Sequence, residues 1–166
     1  MNYIAHINEK GVSQSLADHL TNVAKKSAHF ADVFQSGDIA YLIGLLHDIG
    51  KYSDAFQRRI RGSLEQIDHS TAGAQLLNNP KINVIISRIA GYVIMGHHSG
   101  LPDYGSEGDS PEEPTFNGRI KKAIEDFCAY SKEIHPNFNP DIFKLTSICE
   151  ASKEYDFSIQ FFVRML

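Results

Sequence analysis

The chain has 166 residues, enough for one domain that buries about 70% of its unfolded surface. No run approaches the roughly 20 apolar residues that span a bilayer, and the opening MNYIAHINEK lacks the basic-then-apolar order of a signal peptide, so the sequence predicts a cytoplasmic protein with no membrane partner. A formal net charge of −4 argues against a constitutive nucleic-acid binder, which needs a basic face to displace condensed counterions.

Ser13 is placed to cap a first helix running to about Phe34, with Leu16, Leu20, Val23, Ala24, Ala31 and Phe34 recurring at the helical period. Ser36, Gly37 and Asp38 supply turn and cap for a second helix, whose Ile39, Leu42, Ile43, Leu46 and Ile49 face inward until Gly50 allows termination. Asp68 or Ser70 starts a short helix through Leu77, stopped by Asn78, Asn79 and Pro80. Ile82, Ile85, Ile86, Ile89, Ala90 and Val93 form the strongest apolar stripe, and its length favours helix over buried strand. From Ser99 to Asn117 the chain gathers Gly, Pro, Asp and Ser, which predicts a long mobile loop and a candidate lid. Further helices are expected near 118–133, 140–150 and 154–166, and no strand pair or repeat is evident. The expected fold is therefore an all-α helical bundle. Cys128 and Cys149 fall in predicted helices without Cys-x-x-Cys spacing and read as reduced core thiols.

The histidines take their places on these helices. His19 lies three residues after Leu16 and four before Val23, on the inward face. His97 follows Val93 by four residues and Ile89 by eight, with His98 turned about 100° from it, and a helix ending at HHSG lets both rings converge. His29 shares the polar face of Asn22, Lys25 and Lys26. His6, close to the terminus, and His135, before Pro136, read as structural. The stretch LLHDIGKYS sets His47 and Asp48 in an apolar run; a buried carboxylate there must be paired, hydrogen-bonded or metal-bound, and Lys51 one turn later is a candidate partner. A single inward histidine is more often a hydrogen-bonded core residue than a ligand. The number of candidates shifts that balance: His19, His47, Asp48, His69, His97 and His98 come from four segments. One carboxylate with several imidazoles suits divalent transition metals such as Mn, Fe, Co or Ni rather than calcium.

HDIGK at 47–51 resembles the signature of HD-domain metal-dependent phosphohydrolases. AHINEKGVSQSLADHL at 5–20, GLLHDIGKYSDAFQ at 44–57, DHSTAGAQLL at 68–77 and GHHSGLPD at 96–103 together resemble, in order, the HD nuclease domain of the type I CRISPR nuclease-helicase. The resemblance spans about the first 105 residues and resumes near FFVRML at 161–166.

It implies that His19, His47 and Asp48 hold one metal and that Asp48 bridges to a second held by His69, His97 and His98, with Lys51 beside them neutralising the scissile phosphate. The implied cofactor is one or two ions of Mn, Co, Ni or Fe, with Mg as a further candidate. The implied substrate is single-stranded DNA opened by an RNA-guided CRISPR surveillance complex, with a helicase downstream or on a separate chain. Arg58, Arg59, Arg61 and Ser99 are candidate contacts to the strand backbone, and Tyr104 a candidate base-stacking residue. The family pattern continues past VRML with a helix bearing another metal-binding aspartate. Residues 1–166 are therefore expected to be a single HD-type nuclease domain, truncated from a longer chain, with a weakened first metal site; Asp156 does not match that motif. The alternatives are a nucleotide or cyclic-nucleotide phosphohydrolase and a noncatalytic docking module. No glycine-rich phosphate loop with its lysine is present, so the sequence itself offers no ATPase.

Overall fold

The structure is a computed structural model that describes residues 2–138, 163 and 165. The expected helices at 140–150 and 154–166, with Cys149 and Asp156, lie outside these residues. The described chain is mostly helical, as the apolar periodicity predicts, but it opens with a strand pair that the sequence reading missed. Strand β1 (Ile4–Ile7) pairs antiparallel with β2 (Ser13–Ser15). Gly11 takes a positive φ of 77° at the turn, where a residue with a Cβ is disfavoured. Asn8 closes the same turn by accepting from the amides of Lys10 and Val12.

Helix α1 (Leu16–Ala31) starts two residues later than expected because Ser13 is spent in β2, so Ser15 caps it and accepts from the amide of Asp18. Its buried residues, Leu16, Leu20, Ala24 and Ala31, follow the predicted stripe, and the final turn at 32–34 tightens to 3₁₀. Helix α2 (Gly37–Leu46) is apolar nearly all round and packs on α1. It ends before Gly50, and the chain then tightens into a 3₁₀ turn over Ile49–Tyr52. Helix α3 (Asp54–Arg59) is short and capped by Ser53. Helices α4 (Ser70–Leu77) and α5 (Val84–Gly96) match the predicted positions, with Asn83 capping α5. The core joins Leu16, Leu20, Leu42, Leu46, Ile49, Leu77, Ile86, Ile89 and Ile94 into one cluster.

Two glycines let these helices approach closely enough to share a site. A Cβ on Gly50 would lie 2.4 Å from the carbonyl oxygen of His69, and one on Gly73 would lie 2.4 Å from that of Leu46. The metal-capable turn and the start of α4 are thus in backbone contact.

The 99–117 segment is irregular as far as Thr115, as expected, and it is braced by its own contacts. Tyr104 stacks on Phe116 with ring centroids 5.4 Å apart, Asp109 accepts from Ser106 and Thr115, and Lys121 donates to the carbonyls of Glu107 and Asp109 at 2.6 and 2.7 Å. The polar residues that suggested mobility hold the loop onto helix α6 (Phe116–Lys121). That helix is shorter than the expected 118–133. Gln75 donates to the carbonyls of Arg119, Ile120 and Lys122, which takes over the acceptors that further turns would have used. Cys128 begins a 3₁₀ turn at 128–132 and is exposed, so it is no core thiol.

Candidate metal centre

Asp48 is the hub. It is 2% exposed, and each of its oxygens faces a different set of imidazoles. Oδ2 lies 3.3 Å from His19 Nε2 and 3.2 Å from His47 Nε2, while Oδ1 lies 3.4 Å from both His69 Nε2 and His97 Nε2 and 3.8 Å from His98 Nε2. Within the sets, the Nε2 atoms of His19 and His47 are 3.2 Å apart and those of His69 and His98 are 2.8 Å apart. All six residues that the sequence offers as ligands therefore converge.

The local structure explains why. His47 and His97 each stand just past the last residue of a helix and fold back on the residue three earlier: His47 Nδ1 lies 2.7 Å from the Gly44 carbonyl, and His97 Nδ1 lies 2.5 Å from that of Ile94. A nitrogen so close to a carbonyl oxygen must carry the proton, which leaves Nε2 as a lone pair in the neutral ring. Both lone pairs then point at a carboxylate. Nε2 of each ring is then the atom available to a cation shared with the carboxylate.

The donor spacing fits a cation. Ligand bonds of about 2.1 Å put neighbouring donors of a tetrahedral or octahedral shell about 3.0–3.4 Å apart. Most of the nitrogen–oxygen separations fall in that range. Asp48 Oδ1 is buried without an aligned hydrogen-bond donor among the described residues, as expected of an atom reserved for an ion. Asp48, His69, His97 and His98 form one group able to hold a metal, and His6, His19 and Asp48 form a second.

Electrostatics follow the same division. Burial opposes ionisation of Asp48, but the His19, His47 and His97 imidazoles outweigh it and hold the carboxyl well below the usual carboxylate range. Burial pulls His69 down to about 4 despite the attraction of Asp48, so it presents a neutral ring at neutral pH. Burial also lowers His6, with Lys51 adding to the effect.

Lys51 is turned inward. It is 3% exposed, and its Nζ lies 2.8 Å from Asp48 Oδ2 and donates to the Ala5 carbonyl at 3.3 Å. Of the arginines expected near a substrate strand, Arg58 pairs with Glu65 at 3.1 Å, and Arg61 donates to Gln57 and to the Asn2 carbonyl. Arg59 is exposed on α3 and Ser99 is exposed just past the paired histidines. Tyr104 is engaged with Phe116 and Arg88. His29 and His135 are exposed, as expected of residues outside the site.

The sequence reading missed three contributors. His6 belongs to the cluster rather than to the structural background; its signal was the Ile-Ala-His-Ile run before a glycine turn. Gln57 is 2% exposed and bonds both backbone groups of Ile4 as well as the Lys51 carbonyl. Arg119 donates to Thr71, Ser70, Asp68 and the Met95 carbonyl, tying the start of α4 to the end of α5, where His69 and His97 sit.

A family model described as the HD domain matches residues 16–129. No curated protein matches the chain.

Proposed function

Because this chain belongs to the HD-domain family, we propose that it is a divalent-metal-dependent phosphodiester hydrolase that cuts single-stranded DNA, serving as the nuclease module of an RNA-guided CRISPR defence system. The observation that carries the hydrolase reading is Asp48, a buried carboxylate whose two oxygens face two separate sets of imidazoles. The finer assignment is supported by motif order. Each of the four segments that resemble the CRISPR nuclease domain contributes at least one group to the cluster: His6 and His19, His47 and Asp48, His69, and His97 and His98.

Bound divalent ions would supply Lewis acidity, activating water near neutral pH and neutralising charge on a phosphodiester. His19, His47 and Asp48 Oδ2 would hold one ion, and Asp48 Oδ1 with His69, His97 and His98 the other. Lys51 acts through Asp48: its ammonium, 2.8 Å from Oδ2, holds the carboxylate in place. The substrate side is where His98 lies, 53% exposed at its side chain and next to Ser99, so a polymer can reach the cluster without entering a closed cavity. Arg59 lies exposed on α3 as a contact for the strand backbone. A helicase and the surveillance complex would deliver the DNA, consistent with a chain whose net charge of −4 gives it little affinity of its own.

The test is a metal-resolved assay. Protein stripped of metal and reloaded with Mn, Co, Ni or Mg is offered circular single-stranded DNA, duplex DNA and nucleotides, with Asp48→Ala as control. Cleavage of closed single-stranded circles that vanishes in Asp48→Ala is expected. Turnover of nucleotides with DNA left intact identifies a nucleotide phosphohydrolase instead, and inactivity toward all three favours a docking module.

A further inference from the structure

We propose that His6, on strand β1, is a direct ligand of the ion held by His19 and Asp48, so that the amino-terminal hairpin is part of the metal centre. The proposal rests on the metal-dependent reading above and names a donor beyond the six that the motifs supply.

Three observations carry it. The first is position: donor atoms of His6, His19 and Asp48 lie within 4.8 Å of one another, and the His6 ring meets that of His19 edge-on, at 78° with centroids 4.8 Å apart. The second is a break in strand register. Ile4 pairs with Ser15 and His6 with Gln14, so two steps on β1 answer one on β2 and Ala5 is the extra residue. A bulge of this kind turns the following side chain off its regular heading, and here that side chain is His6.

The third is anchorage. A strand carrying a ligand must be fixed to the rest of the centre, and β1 is fixed just before the bulge and at the bulged residue itself. Gln57 accepts from the Ile4 amide at 3.0 Å and donates to the Ile4 carbonyl at 3.0 Å, while Lys51 donates to the Ala5 carbonyl at 3.3 Å. Both anchoring residues lie within ten positions of Asp48, so the turn that supplies the carboxylate also holds the strand that supplies His6. Buried polar residues committed to an edge strand that bears an exposed histidine make sense if the histidine has to be placed. His6 would thus add a donor to His19 and Asp48, the residues whose ligand atoms lie within 4.8 Å of its own.

The experiment is a titration of metal-free full chain with Co(II), followed by calorimetry and by the visible absorption of the bound ion. The variants are His6→Phe, which keeps a ring against His19 but has no donor, His6→Ala, and His29→Ala as a surface-histidine control. Wild type and His29→Ala are expected to take up two ions with matching spectra. His6→Phe and His6→Ala should lose at least about tenfold in affinity for one ion only, with a changed absorption band and an unchanged far-ultraviolet circular dichroism spectrum. Two ions bound by both His6 variants with wild-type affinity and spectrum would overturn the proposal while leaving the metal centre standing. Failure of the wild type itself to bind Co(II) would overturn both readings.

Discussion

Asp48→Asn keeps the shape of the hub and removes its charge, which makes it a direct test of how the centre is built. Asp48 and Lys51 are 2% and 3% exposed, with Nζ 2.8 Å from Oδ2, so they form a buried ion pair. Removing one partner of such a pair costs about 3–5 kcal/mol, because the other charge stays buried. Lys51 keeps the Ala5 carbonyl at 3.3 Å and the Phe56 ring with its centroid at 5.3 Å. Those contacts return about 1 kcal/mol, leaving an expected loss of about 2–4 kcal/mol in the metal-free protein. Lys51→Met should also be destabilising, because it leaves the Asp48 carboxylate buried without its ammonium partner. Asp48→Asn combined with Lys51→Met should recover about 2 kcal/mol relative to the sum of the single changes. Urea unfolding of chelator-treated protein at pH 7.5 measures all four forms. The reasoning is refuted if Asp48→Asn lies within about 0.5 kcal/mol of wild type, the usual range of an inconsequential surface change.

Gly50→Ala should cost about 1–3 kcal/mol and weaken metal uptake on the His69 side, since its Cβ would meet the His69 carbonyl at 2.4 Å; wild-type calorimetry would contradict the claimed backbone contact. Acid should destabilise the metal-free protein. The unfolded chain takes up a proton at the ordinary histidine value of 6.5 and folded His69 only near 4, so stability present above pH 6.5 is lost as pH falls toward 4, by up to about 3 kcal/mol. Asp48 and Asp68, both held below the usual carboxylate range, act in the same direction at lower pH; urea midpoints that stay constant from pH 7.5 to 4.5 would be inconsistent with this. Arg119→Ala removes hydrogen bonds to Ser70, Thr71 and the Met95 carbonyl, and should lower Co(II) affinity at the His69, His97 and His98 set by about tenfold although Arg119 touches no ion; equal affinity would show that α4 and α5 hold their register without it.

Helical phase made much of this molecule legible. The stripes of α1, α2 and α5 placed His19 and His97 inward because a 3.6-residue period fixes where a side chain points, and the number of converging imidazoles was visible before any coordinates. His6 was not legible, because β2 reads Ser-Gln-Ser with every residue exposed and so carries no apolar alternation to announce a strand pair. The end of α6 was hidden for another reason: Gln75, more than forty positions away, takes the carbonyls at which that helix stops. The 99–117 loop was legible as irregular chain but its bracing was not, because Ser, Asp and Thr favour solvent when they face water but brace a turn when they bond to one another, and composition alone does not distinguish the two. Lys51 was legible in part: its pairing with Asp48 follows from their one-turn spacing, while the inward course of its stem beside Phe56 and Ala5 depends on β1, which was unseen.

The convergence of His6, His19, Asp48, His69 and His98 also bears on how the chain comes together. Groups spread over more than ninety positions meet at one point, so ions seated there would cross-link the fold as a set of disulfides would, closing large loops without a covalent bond. Excess metal should then raise the unfolding temperature in proportion to the logarithm of its concentration. The order of synthesis adds a second consequence: the strand bearing His6 leaves the ribosome before its partners, so the centre cannot close until more than ninety further residues have been made.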